Sequence, residues 1–128
     1  MYDVSVDRSS RIITVRMEGW MTPDIAIEPG IAKEAAVMQL GPPYDDHCSI
    51  VDVRDLRVHP QDVIALFVRF VAATKHKSCR IAIVVGQGTA KMQFRRVVNE
   101  EIRRDNIEIF EGIERATDWL NKPVAPRA

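Results

Sequence analysis

Residues 80–120, RIAIVVGQGTAKMQFRRVVNEEIRRDNIEIFEGIERATDWL, decide the fold. They predict an apolar strand, a glycine-containing loop, a helix with an apolar stripe, a short strand and a final helix. A second apolar run, SIVDV at 49–53, lies upstream and also leads into a helix. This alternation predicts a parallel sheet covered by helices, in which ligands or partners bind beside the carboxyl ends of the strands.

The remaining strands complete a five-stranded sheet. Residues 2–6 and 11–18 alternate between apolar and polar side chains and predict an antiparallel hairpin. Residues 48–54 are nearly all apolar, which indicates a strand buried on both faces. The most apolar strand, 80–85, is expected at the centre of the sheet, and 106–110 form a short fifth strand. We expect a single α/β domain over residues 1–121 with a mixed, mainly parallel sheet, and a disordered tail over 122–128.

About four helices accompany these strands. Thr22-Pro23-Asp24 has the composition of a helix start, but Glu28-Pro29-Gly30 interrupts the pattern. We therefore expect either a kinked helix or a short turn followed by a helix over 29–40. The other helices are expected over 61–76, from the loop at 86–89 to about 102, and over 112–120.

Composition excludes several classes of function. Eighteen basic residues balance eighteen acidic ones, so no surplus of charge indicates nucleic-acid binding. The longest apolar run, 63–68, is far shorter than a membrane span, and the N-terminus lacks the features of a signal peptide. We expect a cytoplasmic protein without a transmembrane segment. The two cysteines and three histidines show no metal-ligand spacing, so no metal or cofactor is expected, and both thiols are expected to be reduced and buried.

The loop at 86–91 invites comparison with phosphate-binding loops. Gly86 and Gly88 let backbone amides approach an anion, and Thr89 and Lys91 begin the helix that follows. The spacing matches neither the P-loop nor the dinucleotide fingerprint. We expect an ordinary strand-to-helix turn that binds at most a simple anion and no nucleotide.

Charged residues cluster at the end of the third strand. Asp52, Arg54, Asp55 and His59 include the residue types of acid–base catalysis. No nucleophile with an orienting base accompanies them. Ion pairing in this segment is the favoured interpretation, and an enzyme using Asp52, Asp55 and His59 is a minor alternative.

The helix over 61–76 is apolar around most of its circumference. A helix that covers a sheet should have one apolar stripe, so a second apolar side needs cover. A neighbouring helix, a second copy of the chain and an apolar ligand are the alternatives. We expect a homodimer through this helix, with Phe67 and Phe70 at the contact. The third helix has a charged face in which Arg96 and Glu100 are spaced for an ion pair.

Four segments resemble the STAS superfamily of sulfate transporter and anti-sigma factor antagonist domains, and most of all its SpoIIAA-like proteins. They are RIITVRMEGWMTPD at 11–24, SIVDVRDLRVHPQDVIALF at 49–67, RIAIVVG at 80–86 and IEIFEGIERATDWL at 107–120. The resemblance covers about residues 2–121. It implies this α/β fold, and kinship with the CRAL-TRIO lipid-transfer fold.

The chain departs from these antagonists at one position. They carry a phosphorylatable serine at the start of the helix after the third strand, where this sequence has His59-Pro60-Gln61-Asp62. No Ser or Thr lies between Asp52 and Val63, so the phosphoserine switch does not carry over.

These observations favour a non-enzymatic cytoplasmic regulatory or binding module that recognises a partner protein or a small ligand. Its expected surface combines two segments, with the candidate residues Arg54, Asp55, His59 and Gln61 in one and Gly86, Gly88, Thr89 and Lys91 in the other. The alternative is a carrier of an apolar small molecule or lipid, with its pocket along Phe67, Phe70 and the helix near Ile31.

Overall fold

The computed structural model describes residues 1–86, 89–102 and 106–122, with the backbone alone at 89–91, 101 and 102. The strands are β1 Tyr2–Asp7, β2 Ile12–Trp20, β3 Cys48–Arg57, β4 Arg80–Val84 and β5 Ile107–Phe110. The helices are α1 Ile27–Leu40, α2 Val63–Ala72, α3 Thr89–Arg96 and α4 Ile113–Asn121. A 3₁₀ turn, Pro60–Asp62, precedes α2, and a π-helical segment, Val97–Ile102, continues α3.

The five strands form one mixed sheet in the order β1-β2-β3-β4-β5. β1 runs antiparallel to β2, and β2 to β5 are parallel. The predicted architecture is confirmed, except that β3 and not β4 is the middle strand. Within the described residues, no helix has the length and apolar character needed to cross a membrane.

Helices cover both faces of the sheet. On one face, α1, α2 and α3 bury the larger core, which includes Ile13, Val15 and Met17 of β2. On the other face, α4 packs Ala116 and Leu120 against a smaller core. Residues 49–53 of β3 are buried throughout, as their continuous apolar character predicts.

Several boundaries differ from those predicted. α1 follows a short turn and begins at Ile27, which places Pro29 in its first turn, where no amide donor is missed. β3 continues to Arg57 instead of ending at residue 54. α2 ends at Ala72, because the backbone amides of Lys75 and His76 donate to the carboxylate of Glu34 instead of continuing the helical ladder.

The cysteines are both free, but only one matches the prediction of a buried thiol. Cys48 begins β3 and is partly buried. Cys79 is exposed, since it lies in a bend just before β4, where its thiol donates to the carbonyl oxygen of Asp45. The predicted tail beyond Lys122 lies outside the described residues.

Candidate functional site

The carboxyl ends of the parallel strands meet at one edge of the sheet, and the predicted site residues lie along it. A bulge in β3 marks this edge, where the pairing with β2 shifts between Arg16–Asp52 and Glu18–Asp55. Bulges re-aim side chains and are common beside functional sites. The bulge lies beside Arg54, the first exposed residue of β3 after the buried residues 49–53.

Asp52 and Arg54 form a bidentate ion pair on this edge. The Nη2 and Nε atoms of Arg54 lie 2.8 and 3.0 Å from the two carboxylate oxygens, and the backbone amide of Arg54 lies 3.2 Å from Oδ1. Asp52 is buried, while the Arg54 side chain is 41% exposed. Burial alone would raise the pKa of Asp52, but the hydrogen bonds from Arg54 outweigh it and hold that pKa below its usual range.

The other two residues of the charged cluster have separate partners. Asp55 accepts a hydrogen bond from Arg16 at 2.9 Å, and the His59 ring packs against Trp20 with 5.0 Å between ring centroids and a tilt of 33° between the ring planes. Asp52, Arg54 and Asp55 are therefore held in ion pairs, as favoured above, while His59 contacts an aromatic ring. Across the described residues, no group of three His, Cys, Asp or Glu side chains is arranged to hold a metal ion.

Gly86 brings the loop after β4 beside β3. A Cβ atom at this position would lie 3.4 Å from the carbonyl oxygen of Arg54, so the two predicted segments do meet at the edge. Gly88 lies outside the described residues, and of Thr89 and Lys91 only the helical backbone is described. The predicted anion contact of this loop stays a prediction.

One cleft at this edge is rich in arginine. It has a volume of about 770 Å³ and lies between β3, β5, α3 and the start of α4. We call it the arginine cleft. Its charged lining residues are Arg54, Arg95, Glu111, Glu114 and Arg115.

A second concave surface lies between the start of α2 and α3. This docking groove has a volume of about 430 Å³ and is lined by Pro60, Gln61, Val63, Ile64, Gln93, Arg96, Val97 and Glu100. Its apolar floor includes buried Val63 and Val97, and its rim is polar. The predicted Arg96–Glu100 pair is present on the rim at 3.1 Å.

Phe67 and Phe70 do not lie on a binding surface. Each is 3% exposed and belongs to the larger core, because this side of α2 faces the sheet and α1. The cavity beside them has a volume of about 20 Å³, enough for about one water molecule. Ile64 and Val68, at 46% and 52% exposed, form the outward apolar side of α2.

Sequence reasoning did not identify several residues of these surfaces. In the sequence, Arg95 was one of several charges on the outer face of the third helix, and Arg115 lay near the start of the last helix. No motif distinguished either residue. Trp20, 62% exposed, entered the sequence analysis only as part of the segment 11–24 that resembles the STAS superfamily. A usable signal was present, since each of these elements begins or ends at the carboxyl edge of the parallel sheet.

No family model and no curated protein matches the sequence. A solved structure does resemble it, that of an uncharacterized protein from the DUF3478 family with a SpoIIAA-like fold, from Shewanella loihica PV-4. The TM-score is 0.62 at 18% sequence identity, over 94% of this chain and 92% of that one. At this identity the likeness shows the fold alone, and the chain has the SpoIIAA-like fold that the four segments predict.

Proposed function

We propose that the chain is a non-enzymatic, cytoplasmic binding module that recognises a partner protein through the docking groove. The observation that carries this proposal is the construction of the groove, with an apolar floor inside a polar rim. Protein interfaces have this anatomy, because apolar burial supplies affinity while rim hydrogen bonds fix orientation.

The Trp20–His59 pair supports the same proposal. His59 directly precedes Pro60 and Gln61 of the groove in the sequence, and its ring centroid lies 5.0 Å from that of the exposed Trp20 ring. An exposed tryptophan therefore lies beside the segment that begins the groove. Tryptophan is enriched among residues that dominate binding energy, since its large ring buries much area with little loss of side-chain entropy. The partnered states of Asp52, Asp55 and His59 give no support to the enzyme alternative.

Site-specific cross-linking tests this proposal. A photo-reactive amino acid at Gln61 should capture one partner protein from an extract of the source cells. The matched control carries the same group at Gln39, an exposed glutamine on α1, and should not capture this protein. The captured protein is then purified and its affinity measured directly.

Binding of the purified partner should weaken at least about tenfold in Ile64→Glu, because a charge on the groove wall loses apolar contact. Met38→Glu, at an exposed methionine on α1, should bind like wild type. Equal capture from positions 61 and 39, or an affinity unchanged by Ile64→Glu, would refute the proposal.

The carrier alternative receives less support, because the pocket expected for it along Phe67 and Phe70 is too small. A small-molecule site needs about 300–1,000 Å³, whereas the cavity beside Phe67 and Phe70 has about 20 Å³. Native mass spectrometry of freshly purified protein should show the mass of the polypeptide without a lipid adduct. A stoichiometric lipid mass that persists through gel filtration would restore the carrier alternative.

A further inference from the structure

We propose that the arginine cleft is a binding site for a small phosphorylated molecule that also carries hydroxyl groups, such as a sugar phosphate. The cleft lies on the carboxyl edge of the sheet, apart from the docking groove. Its volume of about 770 Å³ falls within the range of small-molecule sites.

Arg54 is the fixed element of this cleft. A guanidinium has five N–H groups, and the contacts with Asp52 use one on Nε and one on Nη2, which leaves three. Because Asp52 is 3% exposed and both of its carboxylate oxygens hold one edge of the guanidinium, Arg54 loses little further freedom when an anion binds. A preoriented guanidinium is suited to bidentate contact with a phosphate.

Two more guanidinium groups line the same cleft from other elements. Arg95 comes from α3, and Arg115 comes from the first turn of α4. Both are exposed and lie in the wall of a cleft. The cleft thus has three arginines, each from a different element. A phosphate monoester offers three terminal oxygens for them, whereas a carboxylate offers two, so a phosphate is the better match.

The acidic residues of the cleft narrow the class of ligand. Glu111 and Glu114 line it beside the arginines, so the cleft has no large surplus of positive charge. The arginines would attract a bare phosphate ion, but these two carboxylates would repel it. A phosphorylated polyol satisfies both sets, because its hydroxyl groups donate to carboxylate oxygens while its phosphate accepts from guanidinium groups.

Titration calorimetry and amide NMR with ribose 5-phosphate, glucose 6-phosphate and glycerol 3-phosphate test this inference. At least one should bind with a submillimolar Kd, with amide shifts concentrated at Arg54 and residues 112–115. Inorganic phosphate and unphosphorylated glucose should bind at least about tenfold more weakly. The affinity should fall as salt is raised, because charges in an open cleft are screened.

Variants at the exposed arginines avoid disturbing the buried Asp52. Arg115→Ala and Arg95→Ala should each weaken binding at least about tenfold, and Arg69→Ala, at an exposed arginine on α2 outside the cleft, should not. Arg54→Lys should weaken binding while circular dichroism reports an intact fold. Absence of binding by all three phosphate esters, equal binding of inorganic phosphate, or unchanged affinity in Arg115→Ala would overturn the inference.

Discussion

Lys33 lies on the buried side of α1, with 3% of its surface exposed. It lines the small cavity beside Phe67 and Phe70. Burial lowers the pKa of Lys33 from 10.5 to about 8, against a smaller opposing effect of Glu34. Because the folded chain holds this proton less tightly than the unfolded chain does, the charged lysine destabilises the fold at neutral pH.

The free energy of unfolding should therefore rise as the pH goes from about 8 to 10.5 and then level off. At about 1.4 kcal/mol for each pH unit, Lys33 contributes a rise of about 3 kcal/mol. Lys33→Met should be more stable than wild type at pH 7 and should lose this part of the rise. Urea unfolding at pH 7, 9 and 10 measures both effects, with Lys75→Met at an exposed position as the control. A Lys33→Met variant less stable than wild type at pH 7 would contradict the argument.

Single residues also show where sequence reasoning stops. Arg11 was predicted as the first residue of a strand. It adopts a positive φ of 55° instead, and its guanidinium donates to the carbonyl oxygens of Leu40, Gly41, Pro43 and Asp46. These contacts span 29 to 35 residues of sequence, and no local pattern encodes where the end of α1 will lie. The Asp52–Arg54 pair, two residues apart along one strand, was predictable from alternation.

At the scale of elements, α1 and α2 approach closely at Gly30. A Cβ atom there would lie 2.6 Å from the Cβ of Ala73 and 2.7 Å from the carbonyl oxygen of Phe70. Gly30→Ala gains up to about 1 kcal/mol of helix propensity but forces these helices apart, at a typical cost of about 1–3 kcal/mol. We expect net destabilisation in urea unfolding.

The reverse change at an exposed position provides the control for Gly30. Ala35→Gly on the outer side of α1 should cost about 0.5–1 kcal/mol through helix propensity alone. If Gly30→Ala is instead stabilising by the amount that Ala35→Gly loses, the close approach of α1 and α2 does not constrain this position.

The connection from β3 to α2 carries a second element-scale prediction. It has no Ser or Thr from Val53 to Asp62, so a serine kinase of the anti-sigma type should leave it unmodified. Peptide mass mapping after incubation measures this, and Gln61→Ser shows whether the kinase accepts the restored position. Ser49 is fully buried and hydrogen-bonded to Ser78. Stoichiometric phosphate on Ser49 or Thr89, with altered partner binding, would show that the switch has moved.

The order and type of the elements followed from hydrophobic pattern, because the periods of strands and helices are local properties. The ends of α2 and β3 did not follow from local pattern, because residues distant in sequence determine them. The Glu34 carboxylate determines where α2 ends, and pairing with β2 extends β3. The same limit applies to the site. Arg54 was predicted from its place at the carboxyl end of the third strand, whereas Arg95 and Arg115 join it through the packing of α3 and α4.

At the scale of the whole molecule, the outward side of α2 determines whether the chain self-associates. Val68 is 52% exposed and Ile64 is 46% exposed, one helical turn apart on the same side. Ile64 also lines the docking groove, so Val68 is the residue that tests self-association alone. The expected homodimer through this helix therefore depends on Val68, and not on Phe67 or Phe70 as the sequence suggested.

We expect wild type to sediment as a dimer at about 100 μM and Val68→Glu as a monomer, because a charge at the centre of an apolar contact stays unpaired when buried. A stable dimer needs about 800 Å² buried on each partner, so residues beyond α2 must take part. Met38→Glu, at a methionine 49% exposed on α1, controls for added negative charge and should remain dimeric. A monomeric wild type, or a dimer that Met38→Glu disrupts and Val68→Glu does not, would place the contact elsewhere and leave the outward side of α2 to the partner protein.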